Sequence, residues 1–241
     1  MTANTPYVGE DAKQIRARLP PAVYELALRL GADPQRRCAS VSFRQKGRMR
    51  QVGGAFWMGF HAKQTISTLR CLFDWRAQLS PAGLIGVRDA LTEAGGQLDV
   101  HALGFVPLVR ADPSPTLWRG ELMRYLAELP WAPSAILHNT ELRWRTEGPD
   151  TLAVAAGSGE TAAEVLLSLN GEGRIVGAFA PDRARSPKPP FLPTPWRGRF
   201  SDYQSHNGVW LPASGEVGWE IDGRHVVYWQ GQMSDWRMAL G

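Results

Sequence analysis

Residues 124–131, "RYLAELPW", decide the fold because they end a helical segment in a chain that otherwise shows alternating strand patterns. The helical pattern begins near Leu117, and Pro130 ends it because proline lacks the backbone N–H that a helix interior requires. A second, shorter helical turn is predicted over 131–137. A helix of this kind is marginal alone in water and has to bury its apolar side against another element. We therefore expect the insertion at about 117–137 to pack against a sheet.

The regions on both sides of this insertion alternate between apolar and polar residues, which is typical of strands with one buried face. The clearest is "LRCLFDWRAQL" at 69–79, where Phe73 and Trp75 share the apolar face and Arg76 lies opposite. Short connections make sequential strands antiparallel, because a parallel pair needs a long crossover. The predicted strands lie at about 40–50, 57–67, 69–79, 84–93 and 96–104 before the insertion, and at about 141–147, 151–156, 162–169, 173–180, 196–206, 208–221 and 225–238 after it.

A single antiparallel sheet of about eleven or twelve strands has to curl, since every strand twists relative to its neighbour. Curling leaves a concave face that the helical insertion can cover. A second helix is predicted near the N-terminus, where "PPAVYELALRLGAD" (20–33) places Val23 and Leu26 on one side and Gly31 at its end. The predicted fold class is therefore α+β: a large curved antiparallel sheet forming an open half-barrel, with a central helical plug and an N-terminal helix.

The chain is predicted to form one half-barrel domain over 19–241, preceded by an N-terminal segment over 1–18. The stretch "APDRARSPKPPFLPTP" at about 180–195 is predicted to be a long loop, because its prolines remove the donors that a strand ladder needs. Long loops in compact domains often bind ligands or act as lids.

Composition and charge argue against several classes of protein. The net charge is +4, but the basic residues are spread along the strands rather than clustered, so nucleic-acid binding is not expected. The N-terminus lacks a secretory pattern, and no segment approaches the ~18 apolar residues of a membrane span. A cytoplasmic protein is expected, in which Cys38 and Cys71 remain thiols. The five histidines lack ligand spacing, and neither a metal nor another cofactor is expected.

Four segments carry a resemblance to a known family: "RYLAELPWAPSAIL" (124–137), "TPWRGRFSDY" (194–203), "GVWLPASGEVGW" (208–219) and "YWQG" (228–231). They are similar to the RYLxExPWxPxAL, TPWxGRFxDY, GVxxPxxGEVxW and YWxG motifs of a bacterial family of proteins of unknown function. The resemblance runs from about Leu19 to the C-terminus. It implies the open half-barrel fold of lipoprotein-sorting carriers, which also place helices in a concave sheet, and it implies no particular activity.

Acidic residues on apolar faces are candidates for chemistry, because burial raises the pKa of a carboxyl unless a cation or hydrogen-bond donors compensate. Asp202 shares a strand face with Trp196 and Phe200, and is either a catalytic acid/base or half of a structural ion pair. Asp89 also shares a strand face with apolar residues, so the same two roles are open to it. Arg124 of the helix is its expected ion-pair partner.

One face of the predicted helix carries Glu121 and Glu128, with Arg124 and Tyr125 beside them. If this face points into the concavity, a carboxyl, a guanidinium and a phenol meet there. Otherwise it is solvated helix surface. The predicted catalytic residues are Asp202, Glu121, Asp89 and Tyr125.

Aromatic residues are the candidates for lining a cavity, and the 10 tryptophans are an unusually large supply. Adjacent strand residues point to opposite faces, so only one of Tyr228 and Trp229 is expected to line it. The predicted ligand-binding residues are Arg124, Trp131, Phe73, Trp75, Trp196, Phe200 and Trp229.

The leading functional hypothesis is the binding of an apolar or amphiphilic small molecule between the concave sheet and the central helix. The alternative is a cofactor-independent isomerase, lyase or cyclase that uses buried carboxyls as general acid and base on a hydrophobic substrate. A third option is a structural or regulatory module whose interior is simply core. The volume of the cavity, and the acids that touch it, distinguish among these hypotheses.

Overall fold

The computed structural model describes residues 11–51, 54–79, 83–103, 106–186 and 189–240, and its strands form one 13-stranded sheet that curls around the helices. The helices are α1 (Ala12–Arg18), α2 (Pro21–Arg29), α3 (Pro115–Ala127) and α4 (Pro133–His138), with 3-10 turns at Leu129–Trp131 and Gly159–Thr161. The strands are β1 (Cys38–Met49), β2 (Met58–Ser67), β3 (Phe73–Leu79), β4 (Ile85–Thr92), β5 (Gly95–Ala102), β6 (Val106–Arg110), β7 (Arg143–Gly148), β8 (Thr151–Ala156), β9 (Ala163–Leu169), β10 (Ile175–Ala184), β11 (Pro193–His206), β12 (Val209–Ile221) and β13 (Arg224–Leu240).

Parts of three predictions lie outside the described residues. These parts are residues 1–10 of the N-terminal segment, Gly104 at the end of a predicted strand, and Pro187 and Lys188 of the predicted loop.

The sheet has two arms that meet in its middle. Strand β1 lies beside the central strand β13, and β2 to β6 extend the sheet from β1 to one edge in sequence order. The chain then crosses through α3 and α4 to the opposite edge and returns through β7 to β13. β13 pairs antiparallel with β1, where Met233 lies opposite Gln45. The predicted α+β half-barrel is confirmed, with 13 strands rather than about eleven in the described part of the chain.

A cross-strand row of glycines gives the inner face its room for the helical plug. Phe60, Gly47, Gly231, Gly215 and Phe200 lie directly opposite one another across β2, β1, β13, β12 and β11. A Cβ on Gly215 would lie 3.1 Å from a ring carbon of Trp131, and one on Gly231 would lie 2.5 Å from the ring of Trp229. The indoles of Trp131 and Trp229 therefore occupy the space that side chains at positions 215 and 231 would otherwise fill.

Trp131, in the 3-10 turn after α3, anchors the plug in this space. Its Nε1 donates to Pro212 O at 2.9 Å, and its own carbonyl accepts a hydrogen bond of 2.9 Å from Trp236 Nε1. Its ring packs edge-on against Phe200 at a centroid distance of 5.3 Å and is tilted against Phe43 at 5.6 Å. The helical segment is thus fixed from both arms of the sheet.

Helix α3 begins where Ser114 accepts a hydrogen bond of 3.1 Å from Leu117 N, and Pro115 occupies the first helical position. The helix is buried on almost every side, including the side of Glu121, which is 4% exposed. The charged face therefore points into the concavity, and the reading of it as solvated helix surface is wrong. The predicted second helical turn is confirmed as α4.

Three local features differ from the sequence predictions. Helix α1, which the patterns did not predict, is capped by Asp11 and buries Ile15. Strand β3 begins at Phe73 rather than Leu69, because the hairpin turn from β2 occupies the intervening residues and closes with Ser67 N donating to Leu72 O at 2.9 Å. Strand β6 is short and exposed, so it carries no alternation of buried residues.

The predicted loop at about 180–195 is wrong at both ends. Strand β10 continues to Ala184 and β11 begins at Pro193, with Arg183 opposite Thr194. Prolines are tolerated here because Pro193 is the first residue of its strand and Pro181 lies in an irregularity of the pairing between Ala180 and Arg183.

Candidate functional site

A cavity of about 310 Å³ lies between the concave face of the sheet and the helical plug. Helix α3 and the turn that carries Trp131 form one wall, and strands from both arms of the sheet form the other. The aromatic residues that line it are Trp75, Trp131, Trp196, Phe200, Trp219, Tyr228 and Trp229. The volume is at the small end of the range for ligand pockets, which suits a small molecule or the end of a longer one.

Arg124 is the centre of a buried charge cluster on the helical wall. Its Nη1 lies 2.5 Å from Asp89 Oδ2 on β4, and its Nε donates to Glu128 Oε1 at 2.9 Å. The guanidinium lies over the rings of Phe73 and Trp75, at 4.8 and 5.2 Å from their centroids. Burial opposes the charged form of Arg124, but the neighbouring carboxylates outweigh burial and hold its pKa above the ordinary value. The predicted Asp89–Arg124 pair is confirmed.

Arg183 of β10 approaches the cluster from the other arm of the sheet. Its Nε donates to Gly120 O at 3.0 Å, and its Nη2 lies 3.5 Å from Glu121 Oε1. The guanidinium lies 4.6 Å above the centroid of the Trp196 ring. Both buried arginines thus contact carboxyl groups on one side and aromatic rings on the other.

Glu121 is the least compensated member of the cluster. Burial raises its pKa well above the ordinary value, and the nearby Asp89 carboxyl raises it further. Glu121 Oε2 and Asp89 Oδ1 are both buried and have no hydrogen-bond partner among the described residues when both carboxyls are ionised. The Asp89 carboxyl is near enough to raise the pKa of Glu121, and a proton on Glu121 allows one carboxyl to donate a hydrogen bond to the other.

Strand β2 of the sheet also supplies a hydrogen-bond donor to the charge cluster. Gln64 of β2, which is 1% exposed, donates through Nε2 to Glu128 Oε2. Glu128 is therefore bonded on both of its oxygens, whereas Glu121 is not.

The predicted catalytic residues divide into two groups. Asp89 and Glu121 line the cavity. Tyr125 is fully buried but points away from it, since its hydroxyl donates to Ser67 O at 2.9 Å and accepts from Asn139 Nδ2 at 2.9 Å. Tyr125 is therefore part of the structural core, and the prediction that it meets the carboxyls is wrong.

The prediction that Asp202 lies on the apolar face is also wrong. Asp202 is exposed, and its backbone adopts a left-handed conformation with φ of 57°. This conformation interrupts the pleat of β11 after Phe200, so that strict alternation no longer decides where the side chain points. Its carboxylate accepts a hydrogen bond of 3.2 Å from the hydroxyl of its neighbour Ser201.

The predicted ligand-binding residues lie together. Six of them line the cavity: Arg124, Trp131, Trp75, Trp196, Phe200 and Trp229. The seventh, Phe73, lies beneath the Arg124 guanidinium. Their role in binding stays a prediction.

Tyr228 and Arg183 line the cavity but were not predicted to do so, because irregularities in strand pairing change the alternation of the two faces. Val217 pairs with Trp229 and Gly218 with Val227, so Tyr228 is an extra residue on β13. As a result, Tyr228 and Trp229 both line the cavity, and the Tyr228 hydroxyl accepts a hydrogen bond of 3.1 Å from Trp196 Nε1. Arg183 follows the pairing irregularity in β10 in the same way.

Two further findings hold for the residues that the structure describes. No three His, Cys, Asp or Glu residues of these ranges come together in a way that could hold a metal ion. None of the helices in the same ranges has the length and apolar character needed to cross a membrane. The cytoplasmic location and the lack of a cofactor stay predictions.

The fold is similar to those of three solved structures. A putative outer membrane lipoprotein-sorting protein domain from Vibrio parahaemolyticus is 10% identical, with a TM-score of 0.50 over 90% of this chain and 91% of that chain. A LolA superfamily protein from Nitrosomonas europaea is 13% identical, with a TM-score of 0.48 over 90% of this chain and 92% of that chain. A DUF1329 family protein from Desulfovibrio piger is 12% identical, with a TM-score of 0.49 over 92% and 93%. At these identities, the similarity concerns the fold alone.

Sequence comparison gives the family. No curated protein matches the chain significantly. Residues 11–231 match the model of a family of unknown function, DUF6544, and this match includes all of the cavity-lining residues named above. The predicted membership in a family of unknown function is thereby confirmed, and the chain belongs to DUF6544.

Proposed function

We propose that the protein binds an apolar or amphiphilic small molecule in the cavity between the concave sheet and helix α3. The observation that carries this proposal is the lining itself, in which five indole rings surround about 310 Å³ beside a buried charge cluster. Aromatic walls with a few convergent polar groups are typical of small-molecule sites.

The energetics favour a ligand with an apolar body. Removing about 150 Å² of apolar ligand surface from water contributes roughly 4 kcal/mol. The charged residues at the wall then orient the polar end of the ligand. At the level of fold analogy, a half-barrel similar to a putative lipoprotein-sorting domain is in keeping with a ligand that carries an apolar chain.

Isothermal titration calorimetry with 1-octanol, an uncharged amphiphile, tests the proposal. Wild-type protein should bind it, and Val217→Trp should weaken binding because Val217 lines the cavity and a larger side chain fills it. Val106→Trp, on the exposed strand β6, is the matched control and should bind like wild type. An absence of binding to wild type, or equal binding by the two variants, would contradict the proposal.

The second candidate is a cofactor-independent isomerase, lyase or cyclase acting on a hydrophobic substrate. The Asp89–Glu121 pair favours it, because two neighbouring carboxyls that share a proton can serve as general acid and general base. Glu121→Gln distinguishes this candidate from a carrier. An enzyme should lose turnover of a substrate that it still binds, whereas for a carrier no product forms with either protein.

A further inference from the structure

The inner wall of the cavity has two hydrogen-bond acceptors that no protein donor among the described residues satisfies when Asp89 and Glu121 are both ionised. Among the described residues, the buried side-chain atoms of the cavity lining that lack a partner are Asp89 Oδ1 and Glu121 Oε2, both oxygens. The Glu121 side chain is only 5% exposed, so bulk water does not satisfy it. A buried acceptor without a donor is costly, and a ligand that supplies the donor removes that cost.

The donors nearest to these oxygens are already engaged. Arg124 binds Asp89 Oδ2 and Glu128, and Arg183 binds Gly120 O while its contact with Glu121 Oε1 is long, at 3.5 Å. The cluster has three carboxyls and two guanidiniums, so it carries one excess negative charge when all five groups are ionised.

Two more arginines line the cavity at a distance from this cluster. Arg50 is held outside it by a hydrogen bond of 2.9 Å from its Nε to Val227 O and by stacking on Trp57 at 4.7 Å. Arg185 is half-buried in the segment after β10. Among the described residues, the ion-pair partners of Asp89 and Glu121 are Arg124 and Arg183 and not these two arginines, so the excess charge is local to the carboxyl pair.

We propose that the ligand of this cavity carries a primary ammonium group, which donates hydrogen bonds to Asp89 Oδ1 and Glu121 Oε2. This proposal rests on the proposed binding function and names the polar end of its ligand. When Asp89 and Glu121 are both ionised, an ammonium supplies both the missing donors and the missing positive charge, whereas a hydroxyl supplies only a donor and a carboxylate repeats the charge already present. The apolar remainder lies against the indole rings.

Binding has a proton balance that follows from this placement. In the free protein, the raised pKa of Glu121 favours its protonated form, which can donate a hydrogen bond to the Asp89 carboxyl. The ammonium takes the place of that proton, so Glu121 becomes a carboxylate and one proton leaves to solvent. The ligand itself keeps its charge throughout.

Calorimetry with three eight-carbon probes tests the head-group preference at pH 7. We expect n-octylammonium to bind at least about tenfold more tightly than 1-octanol, as expected for hydrogen bonds to a charged group, and octanoate to bind most weakly. Glu121→Gln and Asp89→Asn should weaken the binding of n-octylammonium about tenfold more than the binding of 1-octanol, because only the ammonium depends on the negative charge of these carboxyls. Glu164→Gln, at a surface ion pair with Arg145, is the control and should change neither.

The proton balance gives a second test on wild-type protein alone, which decides the matter even where a variant fails to fold. Titrations of n-octylammonium in two buffers with different ionisation enthalpies should report the release of one proton. Equal affinity for all three probes, tighter binding of octanoate through Arg50 and Arg185, or no proton release would overturn the ammonium proposal and leave the binding function standing. If none of the three probes binds, the proposed function itself fails.

Discussion

Arg124 Nη1 lies 2.5 Å from Asp89 Oδ2, and this ion pair joins helix α3 directly to strand β4 at the wall of the cavity. The same guanidinium binds Glu128 on its own helix, four residues away. The pair therefore fixes the plug relative to the sheet and sets the position of the carboxyl that faces Glu121.

Removing the arginine should destabilise the protein strongly. Arg124→Met leaves Asp89 and Glu128 buried without their cation, and we expect the free energy of unfolding to fall by about 3–5 kcal/mol. Urea denaturation measures the change. Arg145→Met is the control, since Arg145 is 59% exposed and its ion pairs lie at the surface. The control should change stability by less than about 1 kcal/mol, and an equal effect of the two variants would mean that the buried cluster does not hold the plug.

Glu121 should make stability depend on pH. Burial, and then the Asp89 carboxyl, raise its pKa above the ordinary value of 4.5, against the opposing effect of Arg183 and Arg124. The folded chain therefore keeps a proton that the unfolded chain has lost, so the contribution of Glu121 to stability is fully present below pH 4.5 and is lost as pH rises toward the raised pKa.

Glu121→Gln removes this titration. The variant should gain stability relative to wild type as the pH of a urea denaturation series rises from 4 to 8. Parallel pH profiles for the two proteins would show that the carboxyl of Glu121 is not shifted upward by its surroundings.

The fit between Gly215 and Trp131 should appear as coupling between two substitutions. A Cβ at Gly215 would lie 3.1 Å from Trp131 Cζ2, so Gly215→Ala should cost about 1–3 kcal/mol by overpacking. Trp131→Ala should cost about 3–5 kcal/mol because it empties the centre of the plug. In the double variant the alanine at 215 should cost much less, and strict additivity of the two free energies would contradict the packing.

Alternation predicted most of the cavity wall. Phe73 and Trp75 follow it on β3, and Trp196 and Phe200 follow it on β11, because regular strands place every second residue on one face. The charged helix face was open to two interpretations, since helical spacing groups Glu121 with Arg124 but does not say what covers them. The concave sheet covers this face and so decides between the two interpretations. It is formed by strands that are distant from the helix in sequence, so helical spacing alone does not reveal it.

The residues that alternation placed wrongly all lie at local departures from regular strand geometry. Arg183 and Tyr228 lie at irregularities in strand pairing, and Asp202 lies at a left-handed residue. The two irregularities in pairing shift the register and exchange the faces of the strand beyond them, whereas the left-handed backbone of Asp202 redirects its own side chain without a register shift. Because a bulge depends on the partner strand, one strand's own sequence does not reveal it.

We expect position 202 to tolerate loss of the carboxylate, but not a residue that disfavours the positive φ found there. Asp202→Gly should stay within about 1 kcal/mol of wild-type stability, whereas Asp202→Val should lose roughly 1–2 kcal/mol, because a β-branched residue is strained at positive φ. Thermal denaturation measures both. Binding of 1-octanol should be unchanged in the glycine variant, and a loss of binding there would return Asp202 to the site.

Native mass spectrometry of the intact protein incubated with 1-octanol tests most directly whether the cavity binds a ligand. We predict a species heavier than the bare chain by one bound molecule for wild type and Val106→Trp, and a much smaller fraction of this species for Val217→Trp. Bare wild-type chain under the same conditions, or equal loading of the filled variant, would contradict the account.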